Sequence, residues 1–113
     1  MFMKRPHWPL ERVKELARGD RTLHVQWSRA RDFFDSQEEA YAAVRNVLQA
    51  LTLKDFAHTV ELTWDVADVY GKQVEEQGWY IKLTIDESQP EVAIISFHPL
   101  ERPLKTNGGL INP

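Results

Sequence analysis

Apolar and polar positions follow two different periods along this chain, and the change from one to the other divides it. After Pro9, the run LERVKELARG places Leu10, Val13 and Leu16 on one side of a 3.6-residue repeat, with Gly19 behind it. This predicts a short amphipathic helix that starts at the proline and stops at the glycine. Residues 21–27, RTLHVQW, predict a brief strand or extended connector, and SRARDFF a helical turn capped by Ser28. The strongest helix signal begins at Ser36. Ser36-Gln37-Glu38-Glu39 has the form of a capping box, in which a hydroxyl and a carboxylate each satisfy a free backbone N–H. Ala40, Tyr41, Val44, Val47, Leu48 and Leu51 form its buried stripe, and LTLKDF ends it.

Beyond residue 55 the period becomes two. Phe56, His58, Val60, Leu62 and Trp64 alternate with Ala57, Thr59, Glu61 and Thr63, which predicts a strand. DVADVYGKQV predicts a second, with Gly71 as a candidate bulge. Trp79, Ile81, Leu83 and Ile85 alternate with Tyr80, Lys82 and Thr84, whereas Val92 to His98 is more continuously apolar. The DESQPE between these two runs is rich in turn residues, so they form a local antiparallel pair. If Leu83 opposes Ile95, then Ile81 meets Phe97 and Ile85 meets Ala93 on one face. Tyr80 then sits opposite His98, and Lys82 opposite Ser96, on the other. Helices first, then a meander of about four antiparallel strands, make an α+β domain with its N-terminal helices packed on one face of the sheet. The tail ERPLKTNGGLINP has two prolines, Asn-Gly-Gly and few packing residues. Residues 1–98 are therefore expected as one domain, and 99–113 as a C-terminal extension that is mobile or partner-dependent.

Composition narrows the class. At 113 residues and 42% hydrophobic, the chain suits one compact core. No run approaches the roughly 20 apolar residues of a membrane helix, and MFMKRPHWPLERVK lacks the apolar region of a secretory signal. With no cysteine, disulfides, thiol catalysis and Cys-ligated metals are excluded, and a reducing cytoplasm is the expected compartment. No ligand spacing such as HExxH occurs, so neither metal nor cofactor is expected. A net charge of -3 argues against a strong generic nucleic-acid binder. The charge is uneven, however: residues 1–35 hold eight Lys/Arg against five Asp/Glu, and residues 36–95 hold four against eleven. With Arg102 and Lys105 in the tail, convergence of the two ends would give a positive surface beside an acidic body; scattered solvated charges are the alternative.

KRPHWPLERVKEL, VRNVLQALTLKDF, DVY, GWYIKL and IISF, in this order and spacing over roughly residues 4–98, resemble the MqsR family of bacterial toxins. The resemblance implies a RelE-like fold and an endoribonuclease that cleaves single-stranded mRNA. It also implies a cognate antitoxin encoded by an adjacent gene, with DNA contacted only indirectly through that antitoxin. Tyr80 matches a family tyrosine thought to contribute to cleavage, and Lys82 a lysine of the same strand. His58 and His98 each fall where the best-known member has a lysine, and Ala67 where it has a glutamine.

Metal-independent RNA cleavage needs a base for the 2′-hydroxyl proton, an acid for the leaving 5′-oxygen and cationic donors for the charge of the transition state. Histidines serve both proton roles near neutral pH, so the chemistry implied by the resemblance falls to His58, Tyr80, Lys82 and His98. Lys82 or Arg102 stabilises the charge, Arg102 being the better geometric match for phosphate because a guanidinium binds two oxygens at once. Trp27 and Trp79 are candidates to stack bases, and Arg29, Arg31 and Lys105 are further candidates for the RNA-binding surface. Structural alternatives stand beside these. His58, on an apolar alternation, reads equally as a core histidine, Trp79 as core, Tyr80 and Lys82 as a solvated sheet face, and His98 as a strand end. His7 and His24 read as surface residues. At the level of function, the alternative to an enzyme is a catalytically decayed RelE-like module that acts through its antitoxin in transcriptional autoregulation; an unrelated α+β interaction protein is a third.

Overall fold

The structure is a computed structural model that describes residues 3–113. The stripe after Pro9 forms α1 (Leu10–Ala17), with Leu10, Val13, Leu16 and Ala17 buried. The Pro9 carbonyl accepts from the amides of Arg12 and Val13, so the proline opens the helix as expected. Leu23–Val25 forms the short strand β1, and α2 (Trp27–Ala30) follows directly. Its cap position is Gln26 rather than Ser28, because the chain turns into the helix as soon as Gln26 N has bonded the Ile94 carbonyl. The long helix is α3 (Gln37–Ala50), and Ser36 Oγ accepts from the Glu39 amide at 3.2 Å. The Glu39 carboxylate reaches past Ser36 to the Asp35 amide, at 3.3 Å. Tyr41 is half-buried, and its hydroxyl accepts from the Val25 amide, tying α3 to β1. Among the described residues no helix is long and apolar enough to cross a membrane.

Five strands make the main sheet, in the order β1-β5-β4-β3-β2. They are β2 (Phe56–Glu61), β3 (Val66–Val74), β4 (Gln77–Asp86) and β5 (Glu91–Pro99) beside β1. The four expected strands pair antiparallel, and β1 adds a fifth parallel to β5. The sheet lays one face against the helices, where Phe56, Tyr70, Ile81, Leu83, Ile85, Val92, Ile94 and Phe97 join the residues of α1 and α3 in the core. A fully buried Asp68 fastens the N-terminal segment to this side. Its carboxylate accepts from the amides of His7 and Trp8 (3.0 and 2.8 Å) and from Thr59 Oγ1 (2.6 Å).

Two irregularities set which side chains reach the opposite, open face. The expected pairs Tyr80–His98, Ile81–Phe97 and Lys82–Ser96 are present, but Leu83 pairs with Ile94 and Ile85 with Val92. Ile95 is an extra residue in β5, a bulge that lets Ile94 and Phe97 both face the core although three positions separate them. In β2 the ladder slips between Phe56, which pairs with Tyr70, and His58, which pairs with Val69. The strand also ends early. Leu62 N bonds the Asp65 carbonyl in a turn, and Trp64, expected inside the strand, is 70% exposed.

Gly71 carries no bulge; its pairing with Tyr80 lies in an unbroken ladder. Its bareness serves packing instead. The tail beyond residue 99, whose composition suggested mobility, folds into a hairpin of β6 (Leu104–Thr106) and β7 (Gly109–Ile111) that lies on the open face. A Cβ on Gly71 would sit 2.7 Å from Leu104 Cδ2, and one on Gly78 would sit 2.9 Å from Leu100 Cδ1. The turn docks through Asn107 N to the Phe56 carbonyl and Gly108 N to the Lys54 carbonyl.

Candidate functional site on the open face of the sheet

Register places two rows of side chains on the open face. One runs Gly71, Tyr80, His98; the next runs His58, Val69, Lys82, Ser96. All four proton-handling residues expected from the sequence therefore share this face. The slip after Phe56 is what turns His58 onto it: Phe56 stays in the core while His58 is exposed, so the core-histidine alternative does not hold.

Tyr80 and His98 are brought into contact. Their rings stack with centroids 5.0 Å apart and planes 14° apart. His98 Nδ1 lies 2.8 Å from the Pro99 carbonyl oxygen. A carbonyl can only accept, so Nδ1 carries the hydrogen of this bond, and the neutral ring keeps its free lone pair on Nε2. Burial pushes the Tyr80 phenol up from its ordinary pKa, so it remains a hydrogen-bond donor at neutral pH. Both rings open into a cleft of about 280 Å³, walled on the far side by Leu100 to Leu104, with Arg102 and Glu101 among its lining residues.

His58 is not part of that cleft. It lines a second one, of about 460 Å³, together with Lys4, Lys105 and Asn107, and Leu104 of β6 lines both. The hairpin thus stands as a ridge over Gly71 and divides the open face. Lys82 lies two residues beyond Tyr80 on the same face and is half-buried. Ala67, also on the open face and fully buried, presents only a methyl group. A further groove, about 510 Å³ between Arg5, Pro9, Lys14 and Leu53, includes none of these residues.

The two ends of the chain do converge. The Lys4 amide donates to Asn107 Oδ1 at 2.9 Å, and Asn107 Nδ2 donates back to the Lys4 carbonyl at 2.8 Å. This brings Lys4 and Lys105 to one cleft, whereas Arg102 lines the other. Arg29 and Arg31 are exposed in and just after α2. Trp27 is half-buried and packs against the core, and Trp79 stacks on Phe97 and Phe34 at centroid distances of 4.7 and 6.1 Å, as its core alternative required. His7 and His24 are exposed. Sequence reasoning missed Phe33. It is 48% exposed, with its ring 6.3 Å from that of His98, while its neighbour Phe34 stacks inside on Phe97. An adjacent Phe pair in a polar DFFD context was the available signal, since two consecutive rings rarely both find a core.

Comparison with protein-family models matches residues 5–99 to the family described as "Motility quorum-sensing regulator, toxin of MqsA". No curated protein matches the chain.

Proposed function

The chain belongs to the MqsR toxin family and so is the toxin of a toxin–antitoxin system, and we propose that it acts as a metal-independent endoribonuclease on single-stranded mRNA, inhibiting translation in the cytoplasm until its antitoxin binds it. The observation that carries this reading is the Tyr80–His98 stack with Nδ1 held by the Pro99 carbonyl, in a cleft that Arg102 also lines.

His98 Nε2 takes the proton of an RNA 2′-hydroxyl, and the freed oxygen forms a bond to the adjacent phosphorus. The P–O5′ bond breaks with its electron pair leaving on the 5′-oxygen. Tyr80 hands its proton to that oxygen, a far stronger base than phenolate, and regains one from the His98 imidazolium through solvent. Arg102 and Lys82 offset the charge that builds on the phosphorane. Phe33, exposed beside His98, stacks an unpaired base beside the cut. The products carry a 2′,3′-cyclic phosphate and a 5′-hydroxyl. His58, on the far side of Leu104, has no step in this scheme.

The test is cleavage of a long single-stranded RNA in EDTA by the wild type beside His98→Ala and Arg102→Ala, with the cut ends mapped. Selective cuts that fade in both variants are expected. A folded wild type that leaves RNA intact, with or without ribosomes, supports a second reading favoured by the ridge between His58 and Tyr80: a decayed RelE-like module that works through its antitoxin in transcriptional autoregulation.

A further inference from the structure

We propose that the cleft on the β2 side of the ridge is a phosphate-binding subsite, which grips the backbone of the same RNA strand one or more nucleotides away from the cut. The inference rests on the endoribonuclease reading above and adds a site to it. Lys4, His58 and Lys105 supply three basic side chains to this cleft, and no carboxylate lines it. That is a marked local excess in a chain of net charge -3. Neither lysine forms an ion pair among the described residues, where the salt bridges are Arg12–Glu15, Arg45–Asp20 and Lys72–Asp55.

The cleft is also built rather than incidental. Asn107 clamps the Lys4 backbone from both sides and donates a further bond to the Leu53 carbonyl at 2.8 Å, while its own amide bonds the Phe56 carbonyl at 2.9 Å. These bonds fix the two lysine-bearing segments against the strand that presents His58. Thr106 is buried against the sheet and Lys105 beside it is exposed, so the lysine is open to a ligand arriving from solvent. Two exposed lysines and an imidazole that line one cleft offer donors to an anion, and a phosphodiester supplies one with acceptor oxygens on several sides.

Leu104 is shared by both clefts, so a strand crossing the ridge would set one phosphate by Arg102 and another among Lys4, His58 and Lys105. The matched family region ends at residue 99, before β6 begins. Of the residues that line the subsite, Leu104, Lys105, Thr106 and Asn107 lie beyond that region, in the C-terminal hairpin.

The test measures binding of a non-cleavable 2′-O-methyl single-stranded oligoribonucleotide by fluorescence anisotropy between 50 and 300 mM salt. The wild type is compared with Lys4→Gln/Lys105→Gln and with Arg18→Gln, an exposed charge at the end of α1. The clamp on Lys4 uses only its backbone, so the double variant keeps it. The double variant should bind roughly tenfold more weakly at 0.1 M salt, with the slope of log K against log salt shallower by about 0.7 for each phosphate released. Arg18→Gln should follow the wild type. A double variant with wild-type affinity and slope, beside a wild type that does bind, overturns the subsite and leaves the nuclease reading standing. A wild type that fails to bind even at 50 mM salt overturns both.

Discussion

The imidazole of His98 lies almost parallel to the Tyr80 ring, 5.0 Å away, and its Nδ1 is tied 2.8 Å from the carbonyl of the next residue, Pro99. One side of the imidazole is thus committed to the protein and the other is left for substrate. The bond that commits it is made by a proline carbonyl, whose residue has no amide hydrogen to offer the ladder at that point.

Altering each residue in turn should separate their roles. With a defined oligoribonucleotide at saturation, His98→Ala should lower the cleavage rate by about 10²- to 10⁴-fold, the usual weight of a positioned base. Tyr80→Phe keeps the stack and loses only the hydroxyl. It should lower the rate by about 10²-fold with little change in KM. A Tyr80→Phe enzyme as fast as the wild type would remove the phenol from the chemistry.

The hairpin should depend on the bare backbone beneath it. Gly71→Val places methyl groups where Leu104 Cδ2 already stands, and overpacking of this kind costs about 1–3 kcal/mol. A lower denaturation midpoint is expected, together with faster amide exchange in β6 and β7. Unchanged exchange there would mean that the hairpin does not rest on Gly71.

Alkaline stability should follow Tyr70. Its phenol is completely buried and has no hydrogen-bond partner among the described residues. Burial foremost, then the charges of Asp68 and Asp55, push its pKa well above the ordinary value. The unfolded phenol ionises near pH 10 while the folded one keeps its proton, so folding takes up a proton in that window. Stability should hold up to about pH 10 and fall as pH rises further. Tyr70→Phe should flatten that fall and, by removing an unpaired buried hydroxyl, leave neutral-pH stability unchanged or raised by about 1 kcal/mol. Chemical denaturation at pH 7 and pH 10.5 distinguishes these outcomes.

Glu75, in the tight turn between β3 and β4, holds a φ of 57°, in the left-handed region. An L side chain there costs roughly 1 kcal/mol, so Glu75→Gly should raise the urea midpoint without altering the m value. A drop instead would mean that the carboxylate stabilises the turn by more than its backbone strain.

Much of this architecture is written in local pattern. The stripe of α3 and its Ser36 cap, the start of α1 at Pro9 and the facing of Tyr80 and His98 all follow from periods of 3.6 and 2. What period cannot reveal is a change of phase. The extra residues at Ala57 and Ile95 each turn part of a strand over, and VAIISF is too uniformly apolar to mark where. The outward turn of His58 was hidden for that reason. The hairpin escaped for another: it packs against missing side chains, Gly71 and Gly78, so neither partner advertises a hydrophobic match. The separation of His58 from Tyr80 follows from that packing and was not legible at all.

The central claim is attack by a 2′-hydroxyl with His98 as its base, and a substrate altered by one atom tests it most directly. An oligoribonucleotide carrying a single 2′-deoxynucleotide on the 5′ side of the mapped cut should resist the wild-type protein there. The unmodified strand should yield a 2′,3′-cyclic phosphate and a 5′-hydroxyl. Cleavage of the deoxy-substituted strand at an undiminished rate, or ends bearing a 3′-hydroxyl and a 5′-phosphate, would contradict the account.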